Sequence, residues 1–335
     1  MIDTIKTIEK YPDKIFWEIT NQCNLKCKNC YNSNYINLQT HSVSKDRIFK
    51  FIDNLPSKII IGFGGGEPLL VPYFFELLQN LANKNIECHF TTNGLLLNES
   101  IAKKLKDSKI AKVTVSIDGL KNNHEYLRGN QTFDASINAI KLLVDQGINV
   151  YIGMTITKLN FNDIYSIAKL GKELGVSVVS YFRYIPDDNR VSVLNHDKYS
   201  LYKVAKILLE TKNNLVDKNF NIYYERLATF TFLLDDKEIT NTICRAINGL
   251  SNIDYLGNFY ICPYLRKNTG NIWEDEISQI FQNTKSFLIE ILNIPYECKK
   301  CKFSEICRGG CKGYSFRTFG NLYNKDICCF YDIIN

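Results

Sequence analysis

The stretch Lys14-Ile-Phe-Trp-Glu-Ile-Thr20-Asn-Gln-Cys23-Asn-Leu-Lys-Cys27-Lys-Asn-Cys30 joins a β-rich run to three cysteines spaced C-x3-C-x2-C. Residues 14–20 read as a strand, and runs of the same kind recur at 58–63, 86–92, 111–117, 148–156 and 176–182. Between them lie amphipathic helical patterns at 43–55, 72–83, 98–107, 133–146 and 162–174. Pro72 suits a helix start, and Gly147 and Gly175 stand just past helix ends. Strands alternating with helices predict βα units on a parallel sheet with right-handed crossovers. Six such units make either a partial barrel or an open doubly wound sheet, and periodicity does not choose between them. In both, functional residues gather at the C-terminal ends of the strands. Residues 21–31, 64–68, 93–94 and 118–119 follow the first four strands in that position.

The chain has 335 residues, enough for one large domain and a smaller one. Hydrophobic residues make up 45% and charged residues 23%, ordinary for a globular protein. No apolar run reaches the roughly 18 residues of a membrane span. Residues 1–10 are too charged for a signal peptide, so the expected location is cytoplasmic. The net charge of +6 is spread rather than bunched. A solvated surface is expected, with no nucleic-acid partner, although a leader peptide or an acidic redox carrier suits the excess. Twelve cysteines in such a chain point to metal ligation. Three sit at 23–30, Cys88 stands alone in an apolar strand as a buried small hydrophobe, and eight follow residue 243. Past 190 the pattern changes. Residues 196–211 look helical, and after Cys244 strands are short and Gly and Cys recur. The expected organisation is an extension (1–13), an α/β core (14–190), a helical connection (191–243) and a cysteine-rich domain (244–335).

Thiolates suit iron–sulfur clusters, which normally take four. Three from one loop leave an iron open for another ligand. A zinc site would need a fourth donor, and only His41 is near. After the second strand, Gly64-Gly65-Gly66-Glu67-Pro68 combines close backbone approach with a carboxylate suited to an ammonium group.

Together these two segments resemble the signature of the radical S-adenosylmethionine (SAM) superfamily. The resemblance implies an α/β fold, a partial (β/α)6 radical SAM barrel with a small cysteine-rich C-terminal SPASM domain. It implies that Cys23, Cys27 and Cys30 hold a SAM-binding [4Fe–4S] cluster and that the Gly64–Pro68 segment receives the SAM amino group. Ser116 and Asp118 resemble the ribose-contacting region. Arg128 resembles a SAM-carboxylate arginine, with a surface ion pair as its ordinary alternative. Asn93 belongs to a strand-end segment that is otherwise a turn, and Gly153 matches a weak SAM-side motif. Relatives often carry an aromatic residue before the third cysteine. Here that position is Asn29, and Tyr31 is the substitute for packing adenine.

The C-terminal cysteines, with C-x2-C-x5-C-x3-C at Cys298, Cys301, Cys307 and Cys311, resemble the SPASM domain, which holds two auxiliary [4Fe–4S] clusters. The resemblance gives Cys298, Cys301, Cys307 and Cys329 to one cluster, with Cys328 the alternative to Cys329. It gives Cys244, Cys262 and Cys311 to the other, whose fourth ligand is Cys328, a non-cysteine group or substrate. The implied activity is reductive cleavage of SAM to a 5′-deoxyadenosyl radical that abstracts hydrogen from a peptide or protein, with flavodoxin or ferredoxin as reductant. Crosslinking or other modification of a ribosomally made peptide is the first expectation, with a separate leader-peptide-binding protein. Anaerobic sulfatase maturation and haem-pathway tailoring are the enzyme alternatives, and a multi-cluster electron carrier is the non-enzyme one. No catalytic acid or base stands out.

Overall fold

The computed structural model describes residues 12–38, 43–56, 58–186, 193–225 and 250–334. The six expected strands form as β1 (Lys14–Thr20), β2 (Ile60–Gly65), β3 (Glu87–Thr92), β4 (Lys112–Ser116), β5 (Val150–Ile156) and β6 (Val178–Arg183). The helices between them are α1 (Lys45–Asp53), α2 (Phe74–Asn83), α3 (Glu99–Asp107), α4 (Lys121–Arg128), α5 (Thr132–Asp145) and α6 (Ile164–Glu173). Caps set several starts: Ser44 accepts from the Arg47 amide and Asn98 from the Ile101 amide. Gly147 and Gly175 end α5 and α6 with φ of +66° and +79°.

The strands run parallel in the order β1-β2-β3-β4-β5-β6, and β7 (Asn221–Glu225) adds a seventh beside β6 after the long helix α7 (Lys198–Leu215). The cysteine-rich region joins the same sheet at its other edge. There β8 (Leu250–Ile253) pairs parallel with β1, and β9 (Asn258–Tyr260) and β10 (Gly270–Asn271) follow antiparallel. The sheet is thus a curved file of ten strands with ends at β10 and β7, a partial barrel. Beyond it come α8 (Ile277–Ile291), α9 (Ser304–Cys307), α10 (Lys312–Phe319) and α11 (Tyr331–Ile334). No helix among the described residues is long and apolar enough to cross a membrane.

The strands supply a continuous core: Ile15, Trp17, Ile61, Phe63, Phe90, Val115 and Ile152 are all nearly inaccessible. Trp17 packs edge-on against Phe51 of α1 (5.5 Å) and against Trp273 (6.2 Å), so one aromatic cluster ties helix, strand and C-terminal region together. Two buried ion pairs add to that tie. Arg266 reaches both Glu18 carboxylate oxygens at 2.9 Å. Arg183, the last residue of β6, forms a bidentate pair with Asp326 at 2.6 and 3.0 Å. Both pairs fasten the cysteine-rich region to the parallel sheet.

Candidate functional site

The loop after β1 is folded by its asparagines. The Asn37 side chain accepts from the Cys23 amide (2.8 Å) and donates to the Cys23 carbonyl (3.0 Å). Asn21 donates to the Tyr35 and Leu38 carbonyls. This curls residues 21–38 back on themselves and brings Cys23, Cys27 and Cys30 to one wall of a cavity of about 430 Å³, with Gly65, Tyr126 and Leu194 also lining it. The thiols crowd one another: burial, then the Cys27 and Cys23 thiols, push Cys30 up to about 12. Burial also pushes Cys23 and Cys27 up. Three neighbouring thiols with raised pKa values are held as a donor set that a bound cation would deprotonate.

The glycine segment is pressed against this loop. The Gly66 amide donates to the Thr20 carbonyl (2.7 Å) and the Glu67 amide to the Gln22 carbonyl (2.8 Å). A Cβ on Gly66 would sit 2.0 Å from the Gln22 oxygen, and Gly65 has φ of +102°, so neither position admits a side chain. Glu67 is 1% exposed. Its carboxylate accepts from the Thr92 hydroxyl (2.9 Å), the Asn93 amide (2.9 Å) and the Leu69 amide (3.3 Å). Burial nevertheless lifts it to about 7 against these hydrogen bonds and Arg128. Among the described residues no ion pair meets Glu67, so a cationic ligand group has a buried carboxylate waiting for it. Asn93 is placed by its side chain, which donates to Asn24 at 2.7 Å.

Asp118 and Arg128 form a second node. Asp118 is fully buried and accepts from Arg128 Nε (2.6 Å), Asn29 Nδ2 (2.8 Å) and the Thr155 amide (2.7 Å). Arg128 thus makes an ion pair, a buried one, and Asp118 holds its guanidinium strongly protonated. Asn29 has its reason here: it ties the cysteine loop to the end of β4. The His124 Nδ1 accepts from the Asp118 amide (3.1 Å), and burial drops that histidine to about 4, so it stays neutral. Ser116 ends β4 opposite Gly153. Tyr31 does not line the cavity. Its hydroxyl meets Glu18 and its ring lies 6.0 Å from Tyr264. Thr92, Asn24 and Thr155 are partners that residue spacing does not single out, although Thr92 and Asn24 flank motif residues. Cys88 is buried in β3 and burial pushes it up to about 12, as for a core thiol.

The C-terminal cysteines fall into groups. Successive tight turns place Cys298, Cys301 and Cys307: the Cys301 amide donates to Cys298 and the Ser304 amide to Cys301. Cys298, pushed up to about 11, has Cys329 and Cys301 as neighbours, and Cys307, pushed up to about 12, has Cys329 and Cys298. These four thiols share one locality. Cys311 faces Cys262 instead. Cys328 joins neither: it is fully buried and its Sγ donates to the His196 carbonyl at 3.0 Å, beside Tyr314 and Arg183. Cys244 and His41 lie outside the described residues. Among the described residues no three Cys, His, Asp or Glu side chains converge on one point as a single ion needs. Cubane thiolates bind separate irons and stand further apart.

Residues 17–171 match the radical SAM superfamily. The AdoMet-dependent heme synthase of Methanosarcina barkeri is 26% identical, with 96% of this chain and 97% of that protein covered. The mycofactocin maturase MftC of Mycobacterium tuberculosis is 26% identical, with 95% of this chain and 83% of that protein covered. The structure of Streptococcus suis SuiB bound to the precursor peptide SuiA shares the fold with a TM-score of 0.76 at 19% identity, covering 98% of this chain and 78% of SuiB. The cysteine loop and the glutamate after the second strand both lie inside the matched segment: residues 17–171 form a radical SAM domain.

Proposed function

We propose that the chain is a peptide maturase that abstracts hydrogen from one residue of a ribosomally made peptide and leaves a crosslink or other modification. The observation that carries this reading is the cavity over the three thiols. At about 430 Å³ it holds one ligand of modest size. A cluster on the three thiols and SAM would share that space, which leaves room at the cysteine loop for only a small part of the substrate, such as one residue of a peptide. The similarity to the mycofactocin maturase supports the same reading.

Cys23, Cys27 and Cys30 would hold a [4Fe–4S] cluster, and such a cluster would supply the electron for reductive cleavage of SAM. The protein's residues position that event. Gly64, Gly65 and Gly66 let the backbone approach the ligand, and Pro68 turns the chain away. Glu67 receives the SAM ammonium, whose charge draws its carboxyl back to the ionised form. Arg128, fixed by Asp118, turns its remaining donors to the SAM carboxylate. Asn93, just after β3, and Ser116, at the end of β4, offer further polar groups at the strand ends.

Cys298, Cys301, Cys307 and Cys329 hold one auxiliary cluster, and Cys262 and Cys311, with Cys244, hold the other. A flavodoxin or ferredoxin supplies electrons, and a separate protein presents the leader peptide. A second reading, tailoring of a tetrapyrrole, is favoured by the full-length similarity to the heme synthase. Anaerobic incubation of the reconstituted, reduced protein with SAM and a peptide encoded beside its gene tests the choice. A mass change in the peptide that accompanies 5′-deoxyadenosine supports maturation. A change only in an iron–porphyrin carboxylate substrate refutes it.

A further inference from the structure

Lys312 opens α10 and is 6% exposed. A helix N-terminus disfavours a cation, and buried lysines normally have a charged partner. This one has no carboxylate partner among the described residues. Its Nζ donates to the Asn293 carbonyl at 2.8 Å and the Leu322 carbonyl at 3.2 Å. The groups that face it are the Cys298, Cys307 and Cys311 thiols and the guanidinium of Arg308. Arg308 stands beside it: its Nη1 donates to the Leu292 carbonyl at 2.7 Å, its Nη2 reaches the Glu305 carboxylate at 3.4 Å, and its buried Nε has no partner among the described residues.

Lys312 is therefore a cation buried against thiols that carry no charge while protonated. Such an arrangement is costly by itself. It becomes favourable when the thiols are the thiolates of an anionic cluster. A fixed positive charge in a low-dielectric interior then stabilises the reduced, more negative state over the oxidised one.

We propose that Lys312 is a fixed positive charge that raises the reduction potential of the cluster held by Cys298, Cys301, Cys307 and Cys329. The inference rests on the reading above that these four cysteines hold a cluster. The test is a potentiometric titration followed by electron paramagnetic resonance on reconstituted wild type, Lys312→Met, Lys312→Gln and Lys312→Arg. The expected result is a lower midpoint potential for this cluster in the Met and Gln variants, recovery in the Arg variant, and an unchanged potential for the cluster at Cys23, Cys27 and Cys30. An unchanged midpoint in Lys312→Met or Lys312→Gln with full iron content overturns the inference. Iron lost from the neutral variants but kept in Lys312→Arg supports it, and iron lost from all three overturns it as a packing effect. Wild type without an auxiliary signal refutes the cluster assignment itself, a separate result.

Discussion

Replacing Glu67 by Gln probes the buried carboxylate at the centre of the site. In the metal-free, ligand-free chain Glu67 is lifted from its ordinary 4.5 to about 7. At about 1.4 kcal/mol per decade, that corresponds to about 3 kcal/mol. Below about 4.5 the group is protonated in both the folded and unfolded chain. Between there and about 7 the folded state keeps a proton that the unfolded chain has released, so stability falls as pH rises. Gln cannot ionise and escapes this loss. It has its own cost: one of its two side-chain termini is a donor, and it meets the Asn93 amide or the Thr92 and Leu69 donors. A buried donor left without an acceptor costs about 1–3 kcal/mol. Anaerobic urea denaturation of the metal-free chain should therefore find Glu67→Gln less stable than wild type by up to about 2 kcal/mol at pH 5. At pH 8 it should equal or exceed wild type. In the reconstituted protein the same change would remove the charge-assisted contact proposed for the SAM ammonium and should weaken binding about 10- to 100-fold. A stability difference that is the same at both pH values refutes the argument.

Asp118→Asn leaves the Arg128 guanidinium buried without its counter-charge and disturbs the Asn29 and Thr155 contacts. It should cost about 3–5 kcal/mol, seen as a fall in calorimetric Tm, and a loss under about 1 kcal/mol would contradict the packing described. Cys329→Ser should lower the iron content of the reconstituted protein. Cys328→Ser should keep it, since a hydroxyl can still donate to the His196 carbonyl. The reverse order would exchange the two roles.

The parallel core was legible because each strand run is apolar and each helix carries a buried stripe. The strands began and ended within a few residues of the sequence pattern. The eight-residue α4 escaped notice because only His124 and Leu127 of Lys121–Arg128 are buried, too few to show a period. The α8 helix was hidden by a sequence region read for its cysteines. The seating of β8 on β1 was also invisible, because a four-residue strand and a partner more than 200 positions away leave no local signal. Long-range ion pairs share that limit: nothing local in the sequence joins Glu18 to Arg266 or Arg183 to Asp326. In the site, the grouping of Cys23, Cys27 and Cys30 at one cavity, with Gly65 beside them, follows the spacing of the two motifs. Asn29 and Thr92 were not legible, because they act only by holding Asp118 and Glu67.

The central claim is that the Cys23–Cys27–Cys30 loop makes this chain cleave SAM. Its most direct test is 5′-deoxyadenosine released from SAM by the reconstituted, reduced protein, measured beside a Cys23→Ala control with matched auxiliary iron. The account predicts product from wild type and none above background from the variant. Equal product from both, or none from a fully loaded wild type, would contradict it.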